Sequence, residues 1–161
     1  MPAYTLDSTD TATAPNGATL YRIRYADGTL GGYLQSTTNL DPSSDARVSG
    51  DARVYGNAQV SGNAQVSGDA RVSGNAQVSG DARVCEPQHC LTIGPLGSRA
   101  AILTVCRDST LSVSYATGCF FGSREAFLKA VEATHGNSPI GNAYAAAVML
   151  ADHIVPPYTQ E

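Results

Sequence analysis

The run DARVSG DARVYG NAQVSG NAQVSG DARVSG NAQVSG DARV occupies Asp45–Val84 and repeats a six-residue unit seven times. Valine returns every sixth residue from Val48 to Val84, and alanine returns two places earlier from Ala46 to Ala82. Residues two apart share one side of an extended chain, so each Ala/Val pair makes a short apolar face. Arg or Gln between them, and Ser after them, face the other way. Gly with Asp or Asn then turns the chain, because these residues tolerate left-handed backbone. A fixed short period with one apolar face wraps round an apolar axis, each unit stacking on its neighbours. The apolar phase is too strict for a polar linker.

Read from valine, the unit V-S-G-N-A-Q resembles the hexapeptide pattern of left-handed parallel β-helices: an aliphatic residue, two or three turn residues, then a small fifth residue. The resemblance implies three units per triangular coil, stacking neighbours 18 residues apart, and assembly as homotrimers. At that spacing one face collects Arg47, Gln65 and Arg83 with Asp45, Asn63 and Asp81. A second collects Arg53 and Arg71 with Asp51 and Asp69, and the third only Gln59, Gln77, Asn57 and Asn75. The charged faces are expected to pair Asp with Arg. The neutral face suits subunit contacts or amide ladders, since burying unpaired charge is costly; neutral drift among solvated positions is the alternative.

On the N-terminal side, residues 1–17 are Thr, Ser, Ala, Asp and Pro over most of their length and are expected to form a flexible leader. Residues 18–33 alternate apolar and polar around Ala26-Asp27-Gly28-Thr29, a β-hairpin signal. Leu34 and Leu40, six apart, extend the coil back to residue 34, with an insertion near Pro42-Ser43 before Val48. The coil then spans residues 34–86, with nine rungs in three coils. At roughly 4.8 Å per coil it is only about 15 Å tall. So short a solenoid exposes strand edges at both ends unless they are covered, and the hairpin is expected to cap one of them.

On the C-terminal side Pro87 ends the repeat, and residues 87–161 read as a small α+β domain, β-β-β-α-α. Its strand-like runs are Cys90–Ile93, Ala100–Arg107 and Leu111–Tyr115. A helix follows with Ser123 as N-cap, Phe127, Leu128 and Val131 as stripe and Gly136 as C-cap. A second helix starts with Pro139 at its first position and runs to about Ile154, burying Ile140, Tyr144, Val148 and Ala151. This domain is expected to cap the other end.

The chain has 161 residues, a formal charge of -4 and a pI near 5.2, which argues against a general nucleic-acid binder. No run of 18 apolar residues marks a membrane span, and the N-terminus has no signal-peptide pattern. The four cysteines read as free thiols of a reducing cytoplasm.

Two blocks carry a second resemblance. GGYLQSTTNL ahead of the repeats, and TIGPLGSR, LTVCR, SVSYATGCFFGS, EAFLKAV and THG after them, are similar to phage and bacterial hexapeptide-repeat proteins with a C-terminal α+β block. That resemblance implies an accessory protein in the cytoplasm of a bacterial host, one that counters a host defence.

For chemistry, Gly94, Gly97, Ser98 and Arg99 stand out: glycines free backbone N–H groups for an anion, Ser98 adds a hydroxyl, and Arg99 can pair with phosphate or carboxylate. Arg107 and His135 are further candidate contacts. Cys119 before the first helix has no adjacent His or acid and is assigned to packing. Hexapeptide acyltransferases use a His base, and carbonic anhydrases of this fold use three metal-binding His; here the repeats contain no His. The Cys85, His89, Cys90 spacing is a poor metal set. The expectation is a non-catalytic, cofactor-free and metal-free protein that sequesters a small anion or nucleotide signal. A protein-binding module and an acyltransferase are the alternatives.

Overall fold

The computed structural model describes residues 3–159. In chain order it contains β1 (Tyr4–Thr13), β2 (Thr19–Tyr25), β3 (Leu30–Leu34), a 3-10 turn (Thr37–Asn39) and the rungs β4 (Arg47–Val48), β5 (Arg53–Val54), β6 (Gln59–Val60), β7 (Gln65–Val66), β8 (Arg71–Val72), β9 (Gln77–Val78) and β10 (Arg83–Val84). After a second 3-10 turn (Pro87–His89) come β11 (Cys90–Leu96), β12 (Ala101–Asp108), β13 (Ser112–Thr117), β14 (Phe120–Ser123), α1 (Arg124–His135) and α2 (Pro139–Ile154).

The repeats form a short parallel solenoid of three coils. β3, β5 and β8 stack on one face, β4, β7 and β10 on another, and a bridge at Leu40 lies over β6 and β9 on the third. Alternate N–H groups of an upper coil donate to carbonyls of the coil below, as in Arg47 to Ala64 (3.0 Å) and Ser67 to Val84 (2.8 Å). The repeat valines and Ala52–Ala82 are essentially inaccessible and make the axial core with Leu34 and Leu40. Leu34 pairs with Val54 and Leu40 with Val60, so the two extra residues beyond the 18-residue spacing fall between Leu40 and Val48. There Asp41 accepts from the Ser43 backbone and hydroxyl and bulges the corner outward.

The expected Asp/Arg rows do not form. Among the described residues no ion pair joins two coil side chains. Arg47 instead reaches Asp27 and stacks on Tyr25, Arg53 donates to the Thr13 carbonyl, and Arg83 donates to the carbonyls of Asn63, Asp81 and Ala82. Groups of the N-terminal cap thus take up Arg47 and Arg53, and backbone carbonyls of the coil take up Arg83.

The leader is a strand, not a flexible segment, over its described part; Met1 and Pro2 lie outside the described residues. β1 pairs antiparallel with β2 from Tyr4↔Tyr25 to Thr13↔Thr19, with a bulge between Asp7 and Thr11. Its threonines are polar by composition but β-branched, and a β-branched residue suits a half-buried strand. Asp7 pairs with Arg24 and Asp10 with Arg22, which fixes the register.

Two tyrosines close the exposed end of the first coil. Tyr25 Oη donates to the Val48 carbonyl (2.9 Å) and accepts from the Val48 N–H (2.7 Å). Tyr4 Oη donates to the carbonyls of Leu40 (2.6 Å) and Thr37 (3.0 Å). Between them β3 crosses so close to the coil that a Cβ on Gly32 would stand 2.5 Å from the Ala52 carbonyl oxygen. Burial, then the charges of Tyr25 and Asp41, push the Tyr4 phenol up to about 12, and burial also raises Tyr25. A phenol raised on folding keeps its proton in the native state after the unfolded chain has lost it. Its stabilisation is therefore complete below the unfolded value near 10 and drains away as pH rises toward about 12. Denaturant midpoints measured from pH 8 to 12 are expected to stay flat, then fall above pH about 10; a Tyr4→Phe/Tyr25→Phe protein should lose part of that fall and keep the share of Tyr115, whose phenol burial also raises to about 12.

The last coil is closed by β12, and the period of two decides how. Thr104, Cys106 and Asp108 turn toward the coil, while Leu103 and Val105 turn toward the helices. The Gln77 N–H donates to Thr104 Oγ1 (3.0 Å), the Ser109 N–H donates to the Asp81 carbonyl (3.0 Å), and Cys106 enters the coil core. β11–β12–β13–β14 form one antiparallel sheet with α1 and α2 packed on its other side. The expected β-β-β-α-α order gains a strand, β14, which the Gly and Ser around Phe120-Phe121 had disguised as loop. Cys119 sits exposed in the β13–β14 turn rather than in the core. No helix of the described residues is long and apolar enough to cross a membrane.

Candidate functional site

A cleft of about 340 Å³ opens on the helical side of the C-terminal domain. The β11–β12 turn brings Ser98 and Arg99 to it, and the β13–β14 turn brings Thr117, Gly118 and Cys119. The last turn of α1 adds Thr134 and His135, and α2 adds Tyr144. Beneath it, a compartment of about 130 Å³ shares Thr117, Phe120, Thr134, His135 and Tyr144 and is floored by Phe127 and Val131.

Ser123 starts α1 by accepting the Ala126 N–H, and Ser138 starts α2 by accepting the Gly141 N–H. These caps fix where each helix begins, and so which residues reach the cleft. Phe127 lies edge-on to Tyr144 (5.6 Å) and stacks on Tyr115 (5.1 Å), while the His135 ring stacks on Tyr144 (5.8 Å, 25°). Packing on Tyr144 holds the His135 imidazole at the boundary between the polar mouth and the aromatic floor. Arg99 is exposed and makes no ion pair among the described residues. The cleft thus offers a cationic donor, a hydroxyl and an imidazole above a flat apolar surface.

The six candidates from the sequence divide. Ser98, Arg99 and His135 meet in the cleft. Gly97 borders it for a steric reason: a Cβ there would stand 2.7 Å from the Tyr144 hydroxyl. Gly94 lies inside β11, where a Cβ would press on Ile102 and the Ala101 carbonyl, so the segment is a strand and hairpin turn and not a loop of converging N–H groups. Arg107 is not in the cleft. It lies at the end of the coil, donating from Nε to the Arg83 carbonyl (2.9 Å). Thr117, Phe120, Thr134 and Tyr144 were not singled out as site residues. Tyr144 fits the apolar stripe of α2, and nothing in the sequence shows that the stripe ends at a cleft. Among the described residues no group of three or more His, Cys, Asp or Glu is arranged to hold a metal ion.

Residues 46–62 and 64–79 match the family model described as YdcK Beta solenoid repeat. The repeat region is a β-solenoid. That likeness covers the coil alone and does not reach the cleft. No curated protein and no solved structure matches the chain.

Proposed function

We propose that the cleft binds a small molecule bearing a phosphate, of nucleotide type, and holds it without turning it over. The observation that carries this is the convergence of Arg99 and Ser98 from one turn and His135 from the end of α1 onto an aromatic-floored cavity. Arg99 and Ser98 suit a phosphate, and the Phe120/Tyr144 floor suits a planar ring system. In the phage setting implied by the resemblance, such a protein sequesters a signal of the host's defence from the bacterial cytoplasm. The solenoid acts as a rigid base, and its neutral Gln59/Gln77 face supplies the contact of a homotrimer.

A thermal-shift panel of mono-, di- and cyclic nucleotides tests the reading. A ligand at a hundred times its Kd adds about 2.7 kcal/mol, a rise of several degrees. Wild type is expected to show that rise and Arg99→Ala to lose it. No stabilisation by any member, or equal stabilisation of Arg99→Ala, rejects the proposal.

One observation favours a second reading, a protein-binding module. Met149, Leu150 and Ile154 leave an apolar stripe exposed on α2. A single stoichiometric partner captured from host lysate, with no nucleotide effect on melting, would favour it.

A further inference from the structure

The two 3-10 turns are equivalent devices at opposite ends of the coil, and they differ in one instructive way. In the first, Asn39 is buried and its Oδ1 accepts the Ser36 N–H (2.9 Å) three residues back. In the second, His89 takes that duty. Its ring is buried, and Nδ1 accepts the N–H groups of Glu86 and Cys85, each at 3.2 Å. Nδ1 therefore carries no proton and presents its lone pair, while Nε2 carries the hydrogen and faces the Glu86 carboxylate (3.9 Å). Burial, and then the charge of Arg107, disfavour the imidazolium, which keeps the ring in this acceptor form. Asparagine suffices for the backbone at the first turn. Histidine fills the same place at the second, and a thiol lies beside it.

Cys85 Sγ is 3.4 Å from His89 Nδ1. On its other side Arg107 Nη2 donates to the same sulfur at 3.3 Å. Arg107 is anchored by the Arg83 carbonyl and stacks over Tyr158 (5.5 Å). A half-buried thiol thus lies against the buried imidazole on one side and a fixed guanidinium on the other. A guanidinium that donates to the sulfur favours the thiolate, and the thiolate is the form that attacks a disulfide. It lies on the solenoid's rim, separate from the nucleotide cleft, and the cap creates it by bringing β12 against the last rung.

We infer that Cys85 is a nucleophilic thiol site, held by Arg107, that exchanges with low-molecular-weight disulfides. The Cys85 S–H proton passes to solvent, and the thiolate beside Arg107 attacks one sulfur of the disulfide. The Cys85 S–S bond forms as the disulfide's own S–S bond breaks, and the departing thiolate takes up a proton as a free thiol. Cys85 ends as a mixed disulfide, and half of the reagent is reduced. No further oxidant enters.

Cys119 supplies the internal standard, because it is the exposed thiol and would react first if access alone decided. The whole protein is treated with oxidised glutathione and each cysteine is followed by peptide mass spectrometry. Cys85 is expected to be modified first. Arg107→Gln is expected to slow Cys85 about tenfold while leaving Cys119 unchanged; His89→Asn keeps the turn's acceptor in the manner of Asn39 and is expected to leave the order of reaction unchanged. Wild-type modification led by Cys119 overturns the inference, as does a wild-type rate at Cys85 in a folded Arg107→Gln protein. The ranking in wild type needs no variant, so a misfolded Arg107→Gln protein does not protect the idea.

Discussion

Tyr25→Phe is expected to lower the unfolding free energy by about 2–4 kcal/mol, whereas Tyr4→Phe should cost only about 1 kcal/mol. Both hydroxyls close the same end of the coil, but they serve different groups. Tyr25 Oη is at once the acceptor for the Val48 N–H and a donor to the Val48 carbonyl, and Val48 is inaccessible to water. Removing it orphans a buried donor and a buried acceptor together, each at about 1–3 kcal/mol. Tyr4 Oη serves only carbonyls, which carry two lone pairs and tolerate loss of a partner better. Phenylalanine keeps the ring under Arg47, so the cation–π contact at 3.9 Å survives and the comparison isolates the hydroxyl. A loss of 2–4 kcal/mol corresponds to a fall of about 5–15 °C in Tm for a chain of this size. Urea midpoints at constant slope measure it, and equal costs for the two variants would mean the hydroxyl of Tyr25 does not cap the coil.

The coil was legible because its information is periodic. Valines six apart admit one register, and a slip by one residue would turn every apolar side chain outward. The nine rungs and the extra residues before Val48 follow from that counting. The leader was not legible, because Thr and Asp read as disorder by composition, and only their partners Arg22 and Arg24 across β2 show that they are a strand edge. The arginine rows were misread for a related reason. Sequence spacing shows which charges stack, but not that cap groups and neighbouring backbone carbonyls claim the arginines.

The cleft was half legible. Ser98, Arg99 and His135 announce their chemistry by residue type. Phe120 and Tyr144 do not, since an aromatic on an amphipathic element reads as core until tertiary packing shows where the core stops. The thiol site was legible as three residues, Cys85, His89 and Arg107, and illegible as a group. Arg107 lies 22 residues after Cys85, and only the crossing of β12 over the last rung brings its guanidinium to the sulfur. Burial of the β12 residues on alternate sides therefore links fold and chemistry. The same strand closes the solenoid through Thr104 and Cys106, supports the helical domain through Leu103 and Val105, and delivers Arg107 to the rim.

The stacking of corners makes the second large effect. Gly62 and Gly74 occupy the same place in the repeat with nearly the same backbone, φ +66° and φ +64°. An alanine at either position must adopt the left-handed region, at about 1–2 kcal/mol. Their surroundings differ. A Cβ on Gly62 would stand 2.9 Å from the Gly80 nitrogen of the next coil, and one on Gly74 would meet nothing within 4 Å. The obstacle at Gly62 is backbone, held by the bond from the Asn63 N–H to the Gly80 carbonyl (2.9 Å), so it cannot swing aside. Gly62→Ala must push two coils apart and lengthen the neighbouring ladder bonds, which adds about 1–3 kcal/mol. Gly74→Ala is therefore expected to cost about 1–2 kcal/mol and Gly62→Ala about 2–5 kcal/mol. Urea denaturation of the two single variants gives the difference directly, with the left-handed cost cancelling between them. A difference near zero would show that the coils can separate freely at this corner, and the 18-residue stack of Gly62 on Gly80 would have to be abandoned.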